Sequence, residues 1–159
     1  MGSSVDMSRI GADASGGRVL AIDYGRKRLG LAVSDALRVT ARPLATWNRS
    51  NRRQDLARLR TLCRAEGITR IVVGWPLQLD GERGEMASEA ARFAERIRQN
   101  LGVPVELVDE RLSSWEAQQT LAETNAGRLR SRHRKQRKLD EAAAAVILRD
   151  YLRRASVTA

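Results

Sequence analysis

The chain has 159 residues, 42% of them hydrophobic and 4% aromatic, with a formal net charge of +10 and a pI near 11.2. That length suits one domain, able to bury roughly 70% of its unfolded surface without staples, and the charge points to a polyanion as partner, nucleic acid before an anionic membrane surface. So few aromatic rings exclude a platform for stacking a run of bases, and no apolar run approaches the ~20 residues that cross a bilayer.

Met1 to Gly17 is rich in Gly, Ser, Ala and Asp and reads as a disordered leader without an apolar signal core. The folded domain is expected over 18–154, with a flexible tail at 155–159. Arg18 to Asp23 reads as a buried strand and Leu29 to Ser34 as its antiparallel neighbour, joined by a basic glycine turn. Val39 to Trp47 predicts a third strand, which Pro43 confines to a sheet edge or a bulge. The period then changes. Leu56, Leu59, Leu62 and Cys63 recur three or four apart, so Asn51 to Glu66 predicts a helix closed by Gly67.

Ile68 to Gly74 is a β-branched run that predicts a strand buried on both faces. Glu85 to Asn100 predicts a second helix, Val103 to Val108 a further strand, and Ser113 or Ser114 the cap of a helix to about Glu123. A basic stretch, Ala126 to Lys138, reads as a mobile loop. The final helix is expected from Leu139 or Asp140 to about Arg154. The order is that of an α/β fold: an antiparallel meander, then helix-linked parallel strands, giving a mixed sheet of about five strands flanked by helices. Cys63 is the only cysteine. It cannot form an internal disulfide, which fits a reducing, cytoplasmic setting, and its apolar neighbours predict a buried core thiol rather than a reactive one.

Three acidic sites stand out. Asp23 ends the first strand, Asp109 and Glu110 end the last, and Asp140 opens the final apolar helix. Ligand sites in open α/β sheets form at the carboxyl ends of strands. Phosphodiester hydrolysis needs an activated water and a stabilised leaving oxygen, and two divalent metals ~3.5–4 Å apart can supply both. Mg²⁺ prefers such carboxylate and phosphate oxygens. Strand alternation allows only one of Asp109 and Glu110 to reach that site directly. Each acid also has a plainer use: Asp23 could satisfy turn amides, Asp140 could be a helix N-cap or first-turn acid, and one of Asp109 and Glu110 could pair with Arg111.

Cations surround these acids. Arg26, Lys27 and Arg28 follow Asp23 directly and suit phosphate positioning, although a solvated turn would look the same. Arg111 is a further candidate for a phosphate contact. Arg128, Arg130, Arg132, Arg134, Lys135, Arg137 and Lys138 precede Asp140 and would bring positive charge to the rim of the site. His133 among them is expected to be solvated. The glycines of Asp80-Gly81-Glu82-Arg83-Gly84 fit a phosphate-approaching loop or a tight connection equally well.

At Ile22-Asp23-Tyr24-Gly25-Arg26-Lys27-Arg28-Leu29-Gly30, Val72-Val73-Gly74-Trp75-Pro76-Leu77, Asp109-Glu110-Arg111-Leu112-Ser113-Ser114 and Asp140-Glu141-Ala142-Ala143-Ala144, in that order, the chain resembles the YqgF family. These are the RuvX-type Holliday junction resolvases, also described as pre-16S ribosomal RNA nucleases. The resemblance covers roughly Arg18 to Arg154. It implies a ribonuclease H-like fold and an acidic triad of Asp23, Glu110 and Asp140 that uses Mg²⁺ or Mn²⁺. It further implies structured RNA or branched DNA as partner, with a homodimer if paired cuts are made. Trp75 departs from the small or varied residue usual there, and the basic segment is richer in arginine than is typical.

Two other classes remain to be weighed. A two-domain phosphotransferase with the same first strand would need a far longer chain. A non-catalytic nucleic-acid-binding factor on the same fold would share the charge but not cut.

Overall fold

The computed structural model describes residues 16–75, 83–108 and 132–158. They form β1 (Arg18–Tyr24), β2 (Arg28–Ser34), β3 (Ala41–Asn48), α1 (Arg52–Glu66), β4 (Ile68–Gly74), α2 (Arg83–Leu101), β5 (Val105–Val108) and α3 (Arg132–Thr158). The sheet order is β3-β2-β1-β4-β5. β1, β2 and β3 are antiparallel neighbours, whereas β4 runs parallel to both β1 and β5. β1 is therefore central, and the carboxyl ends of β1, β4 and β5 share one edge.

Strand pleating divides the core in two. Leu20, Ile22 and Tyr24 of β1 pack with Leu56, Leu59, Phe93 and Ile97 of α1 and α2. Val19 and Ala21 point the other way, to Ala144, Ala145, Ile147 and Leu148 of α3. α1 and α2 thus cover one face and α3 the other. Cys63 lies buried in the first of these layers, as expected, and burial raises its thiol pKa to about 11.

Local chemistry explains most boundaries. The Asn51 side chain accepts from the Gln54 amide and caps α1, and Gly67 ends the helix at φ 67°. β3 is an edge strand, with a register shift in its pairing near Pro43, where the missing amide predicts one. Gly16 and Gly17, at the end of the expected leader, are held through their carbonyls by the Arg38 guanidinium, which also donates to Thr69 Oγ1. Among the described residues no helix is long and apolar enough to cross a membrane.

Two expectations need correction. α3 begins at Arg132, not at Leu139 or Asp140, so Asp140 is neither an N-cap nor a first-turn acid. Accordingly, 132–138 is the helical start of α3 and not part of a loop. Arginine, lysine and glutamine lose little rotamer freedom in a helix, so a charged run can extend one upstream of its apolar face. The predicted helix at 113–123, the segment 126–131, and the Asp80 and Gly81 turn lie outside the described residues.

Candidate active site

Asp23 is the last odd-numbered residue of β1 and so shares the α3 face with Val19 and Ala21. It is 6% exposed. Its β-sheet partners are Gly30 on β2 and Gly74 on β4. Gly30 lets α3 come down beside it: a Cβ built at Gly30 would stand 2.1 Å from the Asp140 carbonyl oxygen and 2.4 Å from its carbon. These are backbone atoms and cannot swing aside. The strand pairing of Asp23 with Gly30 and the helix contact of Gly30 with Asp140 bring the two carboxylates to one place.

Their electrostatics are opposed. Asp23 Oδ1 is buried and has no hydrogen-bond partner among the described residues. Burial, and then the nearby Asp140 charge, push the Asp23 carboxyl well above its ordinary 3.8. Asp140 Oδ2 accepts from Arg28 Nε at 2.8 Å. Among the described residues, Asp23 thus has no ion pair while its neighbour has a guanidinium. A buried carboxylate oxygen with no donor among the described residues, on a residue close enough to feel a second acid, is a group that a hard divalent cation fits. Neither cause of that shift is a hydrogen bond from a turn amide, the plainer use open to Asp23.

The three cations after Asp23 are differently engaged. Arg26 Nε donates to Glu89 Oε2 at 3.0 Å, and its Nη2 lies 3.4 Å from Glu85 Oε2, which ties the turn to α2. Arg28 holds Asp140. Lys27 is exposed and makes no ion pair among the described residues. Glu110, Asp109 and Arg111 lie outside those residues, as do Arg128 and Arg130. Arg132, Arg134, Lys135, Arg137 and Lys138 fall on the first turns of α3, and their side chains are likewise outside. Among the described residues no cluster of three acidic, histidine or cysteine side chains occurs; Asp23 and Asp140 are the pair brought together.

Sequence reading missed a strut beneath the turn. Arg49 follows β3. Its amide donates to the Lys27 carbonyl at 2.8 Å, and its Nη1 donates to Tyr24 Oη at 3.0 Å and to the Gly25 carbonyl at 3.2 Å. Buried Asp55 holds Arg49 Nε at 3.3 Å and accepts from the Ser50 amide at 3.1 Å. The guanidinium also lies about 5 Å from the ring centroids of Tyr24 and Phe93. The backbone leaving Asp23 is therefore fixed from two sides. A signal existed: Asp55 is an acid four residues before Leu59, on the apolar face of an otherwise basic helix.

Solved structures share this architecture. The T. thermophilus RuvC in complex with Holliday junction substrate superposes with a TM-score of 0.51 at 20% identity, covering 87% of this chain and 95% of that one. A fowlpox virus resolvase with Holliday junction DNA gives 0.50 at 9% identity, over 87% and 98%. These likenesses are of fold. Closer in sequence, a protein of Anaeromyxobacter dehalogenans (strain 2CP-1 / ATCC BAA-258) named "Putative pre-16S rRNA nuclease" is 47% identical over 141 residues, 86% of this chain and 97% of its own length. A Myxococcus xanthus protein of the same name is 41% identical over 135 residues, 85% and 87% of the two chains. The chain is a hydrolytic nuclease built on a ribonuclease H-like α/β fold. Residues 17–154 match the family model described as "RuvX: Holliday junction resolvase", and the chain belongs to that family.

Proposed function

We propose that the protein cleaves phosphodiester bonds of structured nucleic acid at a site formed by Asp23, Glu110 and Asp140, with the extended 5′ end of pre-16S ribosomal RNA as the leading substrate. The observation that carries this reading is the buried, unpartnered Asp23 Oδ1 next to Asp140. Val108 of β5 is buried on the α3 side of the sheet, and a two-residue period continued from it reaches Glu110, not Asp109. That period favours Glu110 as the third carboxylate. These acids would hold Mg²⁺ or Mn²⁺, which would supply Lewis acidity for activating water and stabilising the leaving oxygen.

The chain's own residues do the rest. β1 and α3 present Asp23 and Asp140 on one rigid face, where neither must be ordered when substrate arrives. Arg28 neutralises Asp140 and so limits repulsion between the acids while the site is unloaded. Exposed Lys27 on the turn, and the cations from Arg128 to Lys138 ahead of Asp140, lie along the chain where a backbone phosphate can be held. The names of the relatives support the 16S ribosomal RNA precursor as the first substrate to try, and the description of the family supports the four-way DNA junction as the second.

Side-by-side cleavage of a 5′-extended 16S precursor and a four-way junction, with Mg²⁺ and with Mn²⁺, tests this. Wild-type protein is expected to cut at least one of them, and Asp23→Asn or Asp140→Asn to cut neither while still binding. Paired symmetric nicks on the junction would call for a twofold dimer, which sedimentation can detect. If wild type and Asp23→Asn bind alike and neither cuts with either ion, the protein is a binding factor and the proposal fails.

A further inference from the structure

The surface of α1 is unlike the rest of the described fold. Its exposed charges are Arg52, Arg53, Arg58, Arg60 and Arg64. Its two acids are withdrawn from that surface: Asp55 is buried against Arg49, and Glu66 pairs with Arg18 at 2.8 Å. α2, which packs beside α1, is balanced instead. Glu85 and Glu89 hold Arg26, and Glu95 pairs with Arg98. A general excess of arginine would load both helices alike, so the segregation on α1 needs its own explanation.

Arg53, Arg60 and Arg64 are seven and four residues apart, which sets them in line along one flank of the helix. Eleven residues at ~1.5 Å each give a row about 16 Å long. Arg60 donates to the Asn100 carbonyl at 3.0 Å, so the row borders the C-terminal part of α2. Between the two helices lies an open groove of about 730 Å³ lined by Arg52, Arg53, Leu56, Arg96 and Gln99 among others. None of Arg53, Arg60, Arg64 and Arg96 is ion-paired among the described residues. The planar fork of each is a donor set matched to phosphate. The row lies on the α1/α2 face of the sheet, whereas Asp23 and Asp140 lie on the α3 face.

From this we infer a second phosphate-backbone-binding face, formed by Arg53, Arg60, Arg64 and Arg96, that holds an arm of the nucleic-acid substrate remote from the bond being cut. The inference rests on the nuclease reading for the identity of the substrate. Because the two faces are separated by the sheet, one short straight duplex cannot reach both. A branched or folded substrate can, and the row then anchors one arm while another enters the acidic site. The face therefore selects for substrate shape, not for sequence, since its contacts are to phosphates.

The test replaces Arg53, Arg60 and Arg64 together with Ser, and separately with Lys. A control variant removes the same charge elsewhere (R98S with R153S and R154S). Binding is measured by fluorescence anisotropy in EDTA, so it does not depend on cleavage, for a four-way junction, the 5′-extended precursor, and a short hairpin from its cleavage region. Melting curves check folding. The Ser variant is expected to bind the junction and precursor at least ~10-fold more weakly and the hairpin as wild type does. Its log–log salt slope should be shallower by roughly 2 to 3, at ~0.7–0.9 per lost phosphate contact. The Lys variant should regain most of the affinity, and the control should keep it. Equal affinity of the Ser variant and wild type for the large substrates overturns the inference, as does equal weakening by the control. If wild type cuts nothing but the Ser variant still loses binding, the nuclease reading fails and the second face stands. If cleavage is normal and binding does not change, the face fails alone.

Discussion

Asp23 carries an energetic cost that nothing among the described residues offsets. Its folded pKa lies above its unfolded value, so between about 3.8 and that raised value the native state binds a proton the unfolded chain does not. Its contribution to stability is therefore lost as pH rises through that window, and the full penalty is present once Asp23 is ionised. In EDTA, Asp23→Asn should melt higher than wild type near pH 8 and show a shallower fall from pH 4 upward, with each kcal/mol worth roughly 2–4 °C. Mg²⁺ or Mn²⁺ should raise the melting temperature of wild type but not of the variant. Matching pH profiles for the two proteins would contradict this account. Position 30 makes a second test. Gly30→Ala must move α3 or β2, since the obstructing Asp140 atoms are main chain. We expect a loss of about 1–3 kcal/mol in chemical denaturation together with loss of cleavage. At this scale Asp23 was legible as an acid ending an apolar run. Its neighbour was not: the closeness of Gly30 to Asp140 joins positions 110 residues apart, and no local pattern records it.

Among the elements, the turn after β1 shows how the backbone beside a buried carboxylate is held by a guanidinium from beyond β3. Arg49→Met leaves Asp55 buried without its guanidinium, at a cost on the order of 3 kcal/mol. Adding Asp55→Leu should restore part of that stability, because an apolar pair can replace a buried ion pair. Cleavage should not return with it, since the bonds to Gly25 and Tyr24 are still missing. Recovery of both in the double variant would make the strut a purely structural feature. The apolar faces of α1, α2 and the strands were readable from period alone. The start of α3 was not, because an apolar-face rule falls silent over Arg132 to Lys138, where only helix propensity speaks.

For the molecule as a whole, the parallel run of β1, β4 and β5 puts their carboxyl ends at one edge, and this followed from short connections early in the chain and helical ones later. Which face each helix covers did not follow, because both faces of β1 are apolar and alternation cannot name the partner. Net charge was readable at once, and it predicts that affinity for every nucleic acid falls steeply with salt. Its unequal division between α1 and α2 emerged only when the paired arginines could be told from the unpaired ones.

α3 serves two ends. Asp140 is followed within three residues by the buried run Ala143 to Leu148, so the helix that brings Asp140 near Asp23 also seals one side of the sheet. Amide protons near Asp140 should therefore exchange with solvent only through openings as rare as those of the core itself. Heat should accordingly abolish catalysis and native structure in one event, leaving no temperature at which an intact but inactive form accumulates.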